Sequence, residues 1–167
     1  MIRDQDALDA LLDTVSRFVR EHLVPAERLV DETDEIPADL VAAMKSMGLF
    51  GLTIPEEYGG LGLTMEEEVL TMFEMGQTSP AFRSLFGTTV GIGSQGILMD
   101  GTPAQKAHYL PRLATGELIA SFALTEPEAG SDAASLRTSA TPSGDSYLLN
   151  GTKRFITNAP LAGIFAV

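Results

Sequence analysis

The sequence predicts an α+β fold, in which an all-α domain over residues 1–117 is followed by part of an antiparallel β-domain over residues 118–167. Three observations support this division. Apolar residues recur at helical spacing as far as Gly116, apolar and polar residues alternate beyond it, and Asn150-Gly151 is a strong signal for a β-hairpin. A chain of 167 residues with 44% hydrophobic residues is also long and apolar enough to bury a core.

The helical region begins with an amphipathic segment over residues 4–23, which Pro25 is expected to end or kink. The acidic stretch 31–34 is interpreted as a connector. A second helix is predicted over residues 38–47, with Gly48 as its carboxy-terminal cap.

Residues 49–63 contain Pro55 and four glycines, and are therefore predicted to form an ordered loop rather than a helix. Within this loop, Gly59-Gly60-x-Gly62 has some likeness to a dinucleotide-binding loop. That interpretation is rejected, because the fingerprint needs a preceding strand, a different glycine spacing and a βαβ unit.

Further helix starts are marked by Thr64 with Glu67, by Ser79-Pro80 and by Thr102. The first of these helices is predicted to reach Gly76, the second to be a long helix reaching Met99, and the third to be short. The long helix contains several glycines, each of which costs about 1 kcal/mol relative to alanine, so close packing is favoured over a nearby ligand as their explanation. These glycines are Gly87, Gly91, Gly93 and Gly96.

The β-region is predicted to begin with a strand over residues 118–124, followed by a polar loop and a strand over residues 136–141. A hairpin of strands 147–149 and 153–157 is expected to turn at Asn150-Gly151. A last apolar run over residues 164–167 is interpreted as another strand, and the chain is expected to stop in the middle of a sheet.

Composition excludes several classes of function. A net charge of −12 argues against a nucleic-acid partner, because a phosphate backbone is bound by clustered Lys and Arg. The absence of cysteine excludes disulfides and thiolate metal sites, and His22 and His108 do not suffice for a zinc centre, so no metal site is predicted. The amino terminus has no apolar run suited to a signal peptide or membrane span, and we expect a cytoplasmic protein without a membrane span.

The stretch that carries chemistry is Thr125-Glu126-Pro127-x-Ala129-Gly130-Ser131-Asp132, which follows the first predicted strand. Pro127 ends the strand because it has no N–H to donate. The short side chains after it form a turn that can direct several backbone N–H groups at an anion such as a diphosphate. An isolated Gly-Ser-Asp is usually an ordinary turn, so this interpretation depends on the wider pattern.

Two further motifs complete that pattern. Asn150-Gly151-x-Lys153-x-Phe155-Ile156-Thr157-Asn158 follows along the chain, and Pro-Glu-Glu-Tyr-Gly-Gly-Leu-Gly precedes both over residues 55–62. The three motifs in this order resemble the acyl-CoA dehydrogenases, a family that oxidises acyl-CoA thioesters between Cα and Cβ with bound FAD.

The resemblance implies an intact protein with an amino-terminal helical domain, a middle β-domain of barrel or sandwich type, and a carboxy-terminal helical bundle. FAD would lie between the β-domain and the bundle, and the present chain resembles the helical domain and the first part of the β-domain. The resemblance also implies an acyl-CoA substrate, electron-transfer flavoprotein as electron acceptor, and a homodimer or homotetramer. The catalytic base would be a carboxylate of the carboxy-terminal domain, so no catalytic residue is assigned in this chain and the chain alone is expected to be inactive.

By position in the motifs, the resemblance assigns FAD contacts to eight residues. Thr125 would donate to the pyrimidine side of the isoalloxazine ring, Ser131 would lie near the diphosphate and the bound CoA thioester, and the Thr157 hydroxyl would hydrogen-bond near N5. A donor at N5 suits the chemistry, because N5 receives hydride. The eight residues are Phe122, Leu124, Thr125, Gly130, Ser131, Phe155, Ile156 and Thr157.

Phe155 departs from the family, which often has tryptophan at this position, so an aromatic face is kept and an indole N–H is lost. Glu126 and Glu128 lie in the loop, but the resemblance gives neither a role as base. Two alternatives stay open: an acyl-CoA oxidase or flavin monooxygenase of the same fold, and a non-catalytic binding or assembly subunit that uses the helical domain as an interface.

Overall fold

The computed structural model describes residues 2–167. Helices occupy the chain as far as Ala114 and strands follow from Ala120, so the expected fold class, a helical domain followed by part of a β-domain, is confirmed. Among the described residues, two π-helical turns join neighbouring α-helices, so that the helices form continuous rods. The α-helices are α1 (Gln5–Phe18), α2 (Val24–Thr33), α3 (Ala38–Ser46), α4 (Met65–Met75), α5 (Pro80–Thr88), α6 (Ser94–Asp100) and α7 (Pro103–Ala114), and the π turns are Val19–Leu23 and Thr89–Gly93.

The first rod is longer than the sequence predicts. The Val24 N–H donates to the Val19 carbonyl in a π turn, and α2 then continues until Asp34, whose φ of 57° ends it. Of the two outcomes expected at Pro25, an end or a kink, the end is wrong. Proline has no N–H to donate, and it is accommodated where the π turn already shifts the hydrogen bonding. The acidic stretch predicted as a connector lies in the last turn of α2.

The other helix starts follow their local signals. Thr64 and Glu67 form the predicted capping box at α4, and the Ser79 hydroxyl caps α5. Thr102 caps α7 in a second capping box with Gln105. Gly48, at φ 74°, follows α3 as expected, and residues 49–63 form an ordered loop with two short 3-10 turns.

The predicted long helix is the rod of α5, the second π turn and α6. A Cβ placed on Gly93 would lie 2.4 Å from the Ala120 Cβ and 2.5 Å from the Thr88 carbonyl oxygen. Close packing therefore explains this glycine. It does not explain Gly91 and Gly96, where an added Cβ would meet nothing within 4 Å.

Among the described residues, the core has two parts. The larger part lies among the helical rods, and a smaller one joins α7 to the first strand. The larger part includes Val15, Leu23, Met44, Phe50, Met75, Phe82 and Phe86, and the smaller one consists of Ile54, Leu110, Leu113, Ala114 and Ala120. Because Ala120 belongs to the smaller cluster, the helical domain fixes the position at which the β-region begins.

The β-region holds two strand pairs. β1 (Ala120–Phe122) pairs with β4 (Ile164–Ala166) in parallel, and β2 (Ser139–Ser143) pairs with β3 (Ser146–Asn150) in antiparallel fashion. The expected antiparallel pairing thus holds for the hairpin but not for the pair that contains β1. All residues of β2 and β3 are exposed.

The predicted position of the hairpin turn is wrong. The turn lies at Gly144-Asp145, where Gly144 has a φ of 61°, and Asn150 is the last residue of β3. A positive φ at the first of two turn residues is the type II′ geometry that glycine favours. Residues 153–157 do not form a strand. The Arg154 N–H and the Lys153 ammonium bond to the loop that follows β1 instead, and the φ of 57° at Phe155 is incompatible with an extended strand.

Candidate functional site

Two loops meet beside β1. The first loop comprises residues 124–131 and the second loop residues 153–158. The Arg154 N–H donates to the Thr125 carbonyl at 2.8 Å, and the Lys153 ammonium donates to the Leu124 carbonyl at 2.8 Å. The Ser121 hydroxyl donates to the Thr157 carbonyl at 2.7 Å. These contacts bring the two motifs of the sequence onto one surface.

The first loop is a tight turn around Pro127. The Glu126 N–H donates to the Ala129 carbonyl at 2.8 Å, and the Ala129 N–H returns a bond to the Glu126 carbonyl at 3.3 Å. Ala129 is buried beneath the turn, whereas Gly130 and Ser131 are exposed. The turn therefore presents the backbone of Gly130 and Ser131 to the outside.

The Glu126 carboxylate is buried and joins the two loops. It accepts hydrogen bonds from the Arg137 N–H at 2.8 Å, the Thr138 N–H at 2.9 Å, the Thr138 hydroxyl and the Lys153 ammonium at 2.9 Å. The Thr138 hydroxyl, the Arg137 N–H and the Lys153 ammonium hold the pKa of Glu126 at about 2, below its usual 4.5. A carboxylate so fully bonded is a weak base and is poorly suited to take a proton.

Replacing Glu126 by glutamine is expected to lower the melting temperature by roughly 5 °C at pH 7, since the amide would turn an NH₂ group toward donors. A carboxylate whose pKa is lower in the folded state stabilises the fold fully above pH 4.5, and loses that effect as the pH falls to about 2. The difference in melting temperature between the unmodified chain and Glu126→Gln should therefore shrink across this range.

Differential scanning calorimetry from pH 7 to pH 2.5 measures this prediction. Glu128→Gln is the matched control, because Glu128 is exposed in the same loop and should leave the melting temperature unchanged at every pH. Equal melting temperatures of Glu126→Gln and the unmodified chain at pH 7 would contradict the prediction. Glu67, which also has a pKa of about 2, is common to all variants and cancels in the difference.

The residues assigned to FAD lie on an open surface. Phe122 is 37% exposed, and Phe155 is 77% exposed with the Arg154 guanidinium 4.4 Å above its ring. Phe155 also has a φ of 57°, which turns the chain at the start of the assigned segment. Thr157 is exposed, and the remaining three, Leu124, Thr125 and Ile156, are half-buried.

The backbone of both loops has free donors. Within residues 2–167, the N–H groups of Gly130, Ser131, Ile156 and Thr157 have no hydrogen-bond partner. The space at Gly130 is open as well, since a Cβ placed there would touch only the Thr125 methyl group at 4.0 Å. Free N–H groups around an open glycine suit a phosphate group, and donors on the second loop suit the polar edge of a flavin.

Three residues of the sequence motifs make structural contacts that the sequence does not predict. The sequence motifs indicate no hydrogen-bond partner for Glu126, and they assign no role to Lys153 or Asn158. The Asn158 amide donates to the Ser84 and Leu85 carbonyls and to the Thr88 hydroxyl of α5. Their partners are distant in sequence, so no local pattern could have identified these contacts.

Comparison with known families decides the classification. Residues 5–117 match the acyl-CoA dehydrogenase N-terminal domain, and residues 121–167 match the acyl-CoA dehydrogenase middle domain. The chain belongs to the acyl-CoA dehydrogenase family. The two matched regions coincide with the helical region and with the strands and loops of the candidate site.

Individual members of the acyl-CoA dehydrogenase family are similar over most of this chain. An acyl-CoA dehydrogenase of Bacillus subtilis is 41% identical over 90% of the chain and 40% of its own length. The mitochondrial very long-chain specific acyl-CoA dehydrogenase of Macaca fascicularis is 44% identical over 96% of the chain and 24% of its own length. A glutaryl-CoA dehydrogenase of Mycobacterium smegmatis in complex with FADH2 superposes with a TM-score of 0.89, at 34% identity over 98% of the chain and 42% of that structure.

The chain thus spans about a quarter to two-fifths of the length of these curated relatives. No helix among residues 2–167 is long and apolar enough to cross a bilayer. In the same described residues, no three His, Cys, Asp or Glu side chains group as metal ligands would.

Proposed function

We propose that the protein is an FAD-dependent dehydrogenase that oxidises an acyl-CoA thioester between Cα and Cβ, and that this chain supplies one wall of the flavin site. The observation that carries the proposal is the junction of the two loops, which presents the assigned residues and their free N–H groups on one surface. FAD, when bound, supplies the hydride acceptor.

The chain's own residues would bind and orient the cofactor. The free N–H groups of Gly130 and Ser131 and the Ser131 hydroxyl would hold the diphosphate, and Ser131 would also contact the acyl-CoA. Thr125 would bind the pyrimidine side of the ring, and Thr157 would donate near N5. The fixed backbone behind Thr125 and Thr157 supports these roles, because a preorganised donor needs no rearrangement when charge develops.

The α-proton must be taken by a group outside these two loops. Glu126 is bonded to Lys153, Arg137 and Thr138, and its pKa of about 2 makes it a poor acceptor. We propose that a carboxylate of the carboxy-terminal domain serves as base, as in the family. We further propose electron-transfer flavoprotein as electron acceptor, a homodimer or homotetramer, and a cytoplasmic location, each on the strength of the family resemblance.

The role of Thr157 is tested in the extended protein, defined as this chain continued through a family carboxy-terminal bundle. Thr157→Ala is expected to shift the visible spectrum of bound FAD and to slow flavin reduction by a saturated acyl-CoA on the order of ten-fold or more, because one positioned donor is lost. Anaerobic stopped-flow absorbance of the flavin band measures both effects.

A suitable control is Thr141→Ala, since Thr141 is exposed on the hairpin. Thr138 is unsuitable as a control, although it lies outside the motifs, because it donates two hydrogen bonds to Glu126. An extended protein that binds FAD but is not reduced by any acyl-CoA would contradict the proposed reaction. Unchanged spectrum and rate in Thr157→Ala would contradict only the role of Thr157.

A further inference from the structure

We propose that Asn158 is a positioning residue that fastens the second loop to helix α5 and thereby holds Thr157 in place at the flavin wall. This inference rests on the proposed function for its consequence, because that function gives Thr157 its partner. The fastening itself is a property of contacts within this chain.

The contacts of Asn158 converge on one end of α5. Its side-chain Nδ2 lies 2.8 Å from the Ser84 carbonyl oxygen, 3.1 Å from the Leu85 carbonyl oxygen and 2.8 Å from the Thr88 hydroxyl. Backbone carbonyls can only accept, so the NH₂ group of the amide must face them. The orientation of the side chain is therefore fixed by its partners.

The Asn158 amide binds α5 next to the π turn, where the hydrogen bonding of the helix changes. At the start of the turn, the Thr89 N–H donates to the Phe86 carbonyl and not to the Leu85 carbonyl, its usual α-helical partner. The Leu85 carbonyl accepts the Asn158 amide. The Thr89 hydroxyl in turn accepts from the Ala120 N–H at 3.0 Å, so the same turn holds both β1 and the second loop.

The backbone conformation of Asn158 also helps to position Thr157. Its φ of 62° is left-handed, a conformation that asparagine tolerates better than most residues, and it turns the chain directly after Thr157. On the other side, the Ser121 hydroxyl holds the Thr157 carbonyl at 2.7 Å. Thr157 is therefore fixed from behind by two contacts, while its own N–H and side chain face outward.

Asn158 thus links the second loop to α5, two segments that are far apart in the sequence. A shift of α5 or of the π turn would move Thr157 directly, because the amide bridges them without an intervening side chain. Asn158 itself faces α5, so its effect on the cofactor would pass through Thr157.

The first test uses the 167-residue chain without cofactor. Asn158→Gly keeps the positive φ accessible and removes the amide, whereas Asn150→Gly makes the same chemical change at an exposed residue of β3. We expect hydrogen exchange at the Ala159, Leu161 and Ala162 amides, which bond within the second loop and the turn after it, to be about ten-fold or more faster in Asn158→Gly only.

The hairpin amides serve as the internal reference and should exchange at unchanged rates in Asn158→Gly. Unchanged exchange at the three loop amides, or an equal increase in Asn150→Gly, would overturn the proposal. If Asn158→Gly does not fold, Thr88→Val replaces it, since it removes one acceptor and leaves Asn158 intact; a smaller increase at the same amides is then expected, and no increase would overturn the proposal.

The second test separates positioning from a general loss of stability. In the FAD-loaded extended protein, Thr157→Ala should change the visible circular dichroism of the flavin, but should add little in the Asn158→Gly background, because Asn158 acts through Thr157. Additive changes would overturn the positioning role. If the unmodified extended protein binds no FAD, the proposed function fails, and the exchange measurement decides by itself whether Asn158 fastens the loop.

Discussion

The 167-residue chain by itself is expected to purify colourless and to oxidise no saturated acyl-CoA. The residues that the resemblance assigns to FAD form an open surface, and Phe155 is 77% exposed. A cofactor held on one side lacks several hydrogen bonds of about 1 kcal/mol each and the burial of its rings, which together weaken affinity by several powers of ten. Among residues 2–167, Glu126 is the only carboxylate buried at the junction, and it is bonded to Lys153 and poorly suited to take a proton.

Absorbance in the flavin band after gel filtration in excess FAD measures the first part of this prediction, and a dye-coupled assay with saturated acyl-CoA measures the second. The extended protein, treated identically, is the positive control and is expected to be yellow. Stoichiometric FAD on the 167-residue chain would show that the two loops form a self-contained site. Turnover by that chain would show that it contains its own base.

Gly93→Ala is expected to destabilise the fold by about 2–4 kcal/mol. The added methyl group would lie 2.4 Å from the Ala120 Cβ and 2.5 Å from the Thr88 carbonyl oxygen. Neither neighbour is the flexible end of a long side chain, so the π turn and β1 would have to move apart. Because Thr88 also receives the Asn158 amide, the second loop should loosen as well.

Urea denaturation followed by circular dichroism measures the loss. The matched control is Gly91→Ala in the same π turn, where a Cβ meets nothing within 4 Å. That variant should be unchanged or up to about 1 kcal/mol more stable, because alanine favours helical conformation over glycine. Equal destabilisation by both substitutions would show that chain conformation, not contact with β1, requires glycine here.

Contacts within the chain hold the two loops of the candidate site in place. Glu126 and Lys153 join the two loops, and Asn158 fastens the second loop to α5, so the geometry of the loops is set by the protein. A site that is ordered before its ligand arrives loses less conformational entropy on binding. We therefore expect the loops to keep their junction in the absence of FAD.

Local signals in the sequence were sufficient for much of the helical region. Thr64 with Glu67 and Ser79 with Pro80 mark helix starts that the structure confirms, because a cap is made by atoms within a few residues of one another. The change from helices to strands after Gly116 was likewise evident, since periodicity reflects which face is buried. The family could be inferred from three motifs in order.

Local signals misled where two patterns competed. Gly144-Asp145 and Asn150-Gly151 are both two-residue hairpin turns by composition, and only the pairing of Ser143 with Ser146 shows which one is used. A proline within a helical pattern usually marks the end of the helix. Here the π turn before Pro25 has already shifted the hydrogen bonding, so the missing N–H of the proline is accommodated. In both cases the deciding interaction is not encoded in the residue type at that position.

By itself, the sequence determined the fold class, most helix boundaries and the two motifs of the candidate site. Only the tertiary structure decided that the motifs meet, that Glu126 is their common partner, and that Asn158 reaches α5. The physical reason is the range of the interactions. Caps and periodicity act over a few residues, whereas a buried carboxylate or amide takes whichever donors and acceptors the fold brings to it, and those partners are set by the packing of the whole chain.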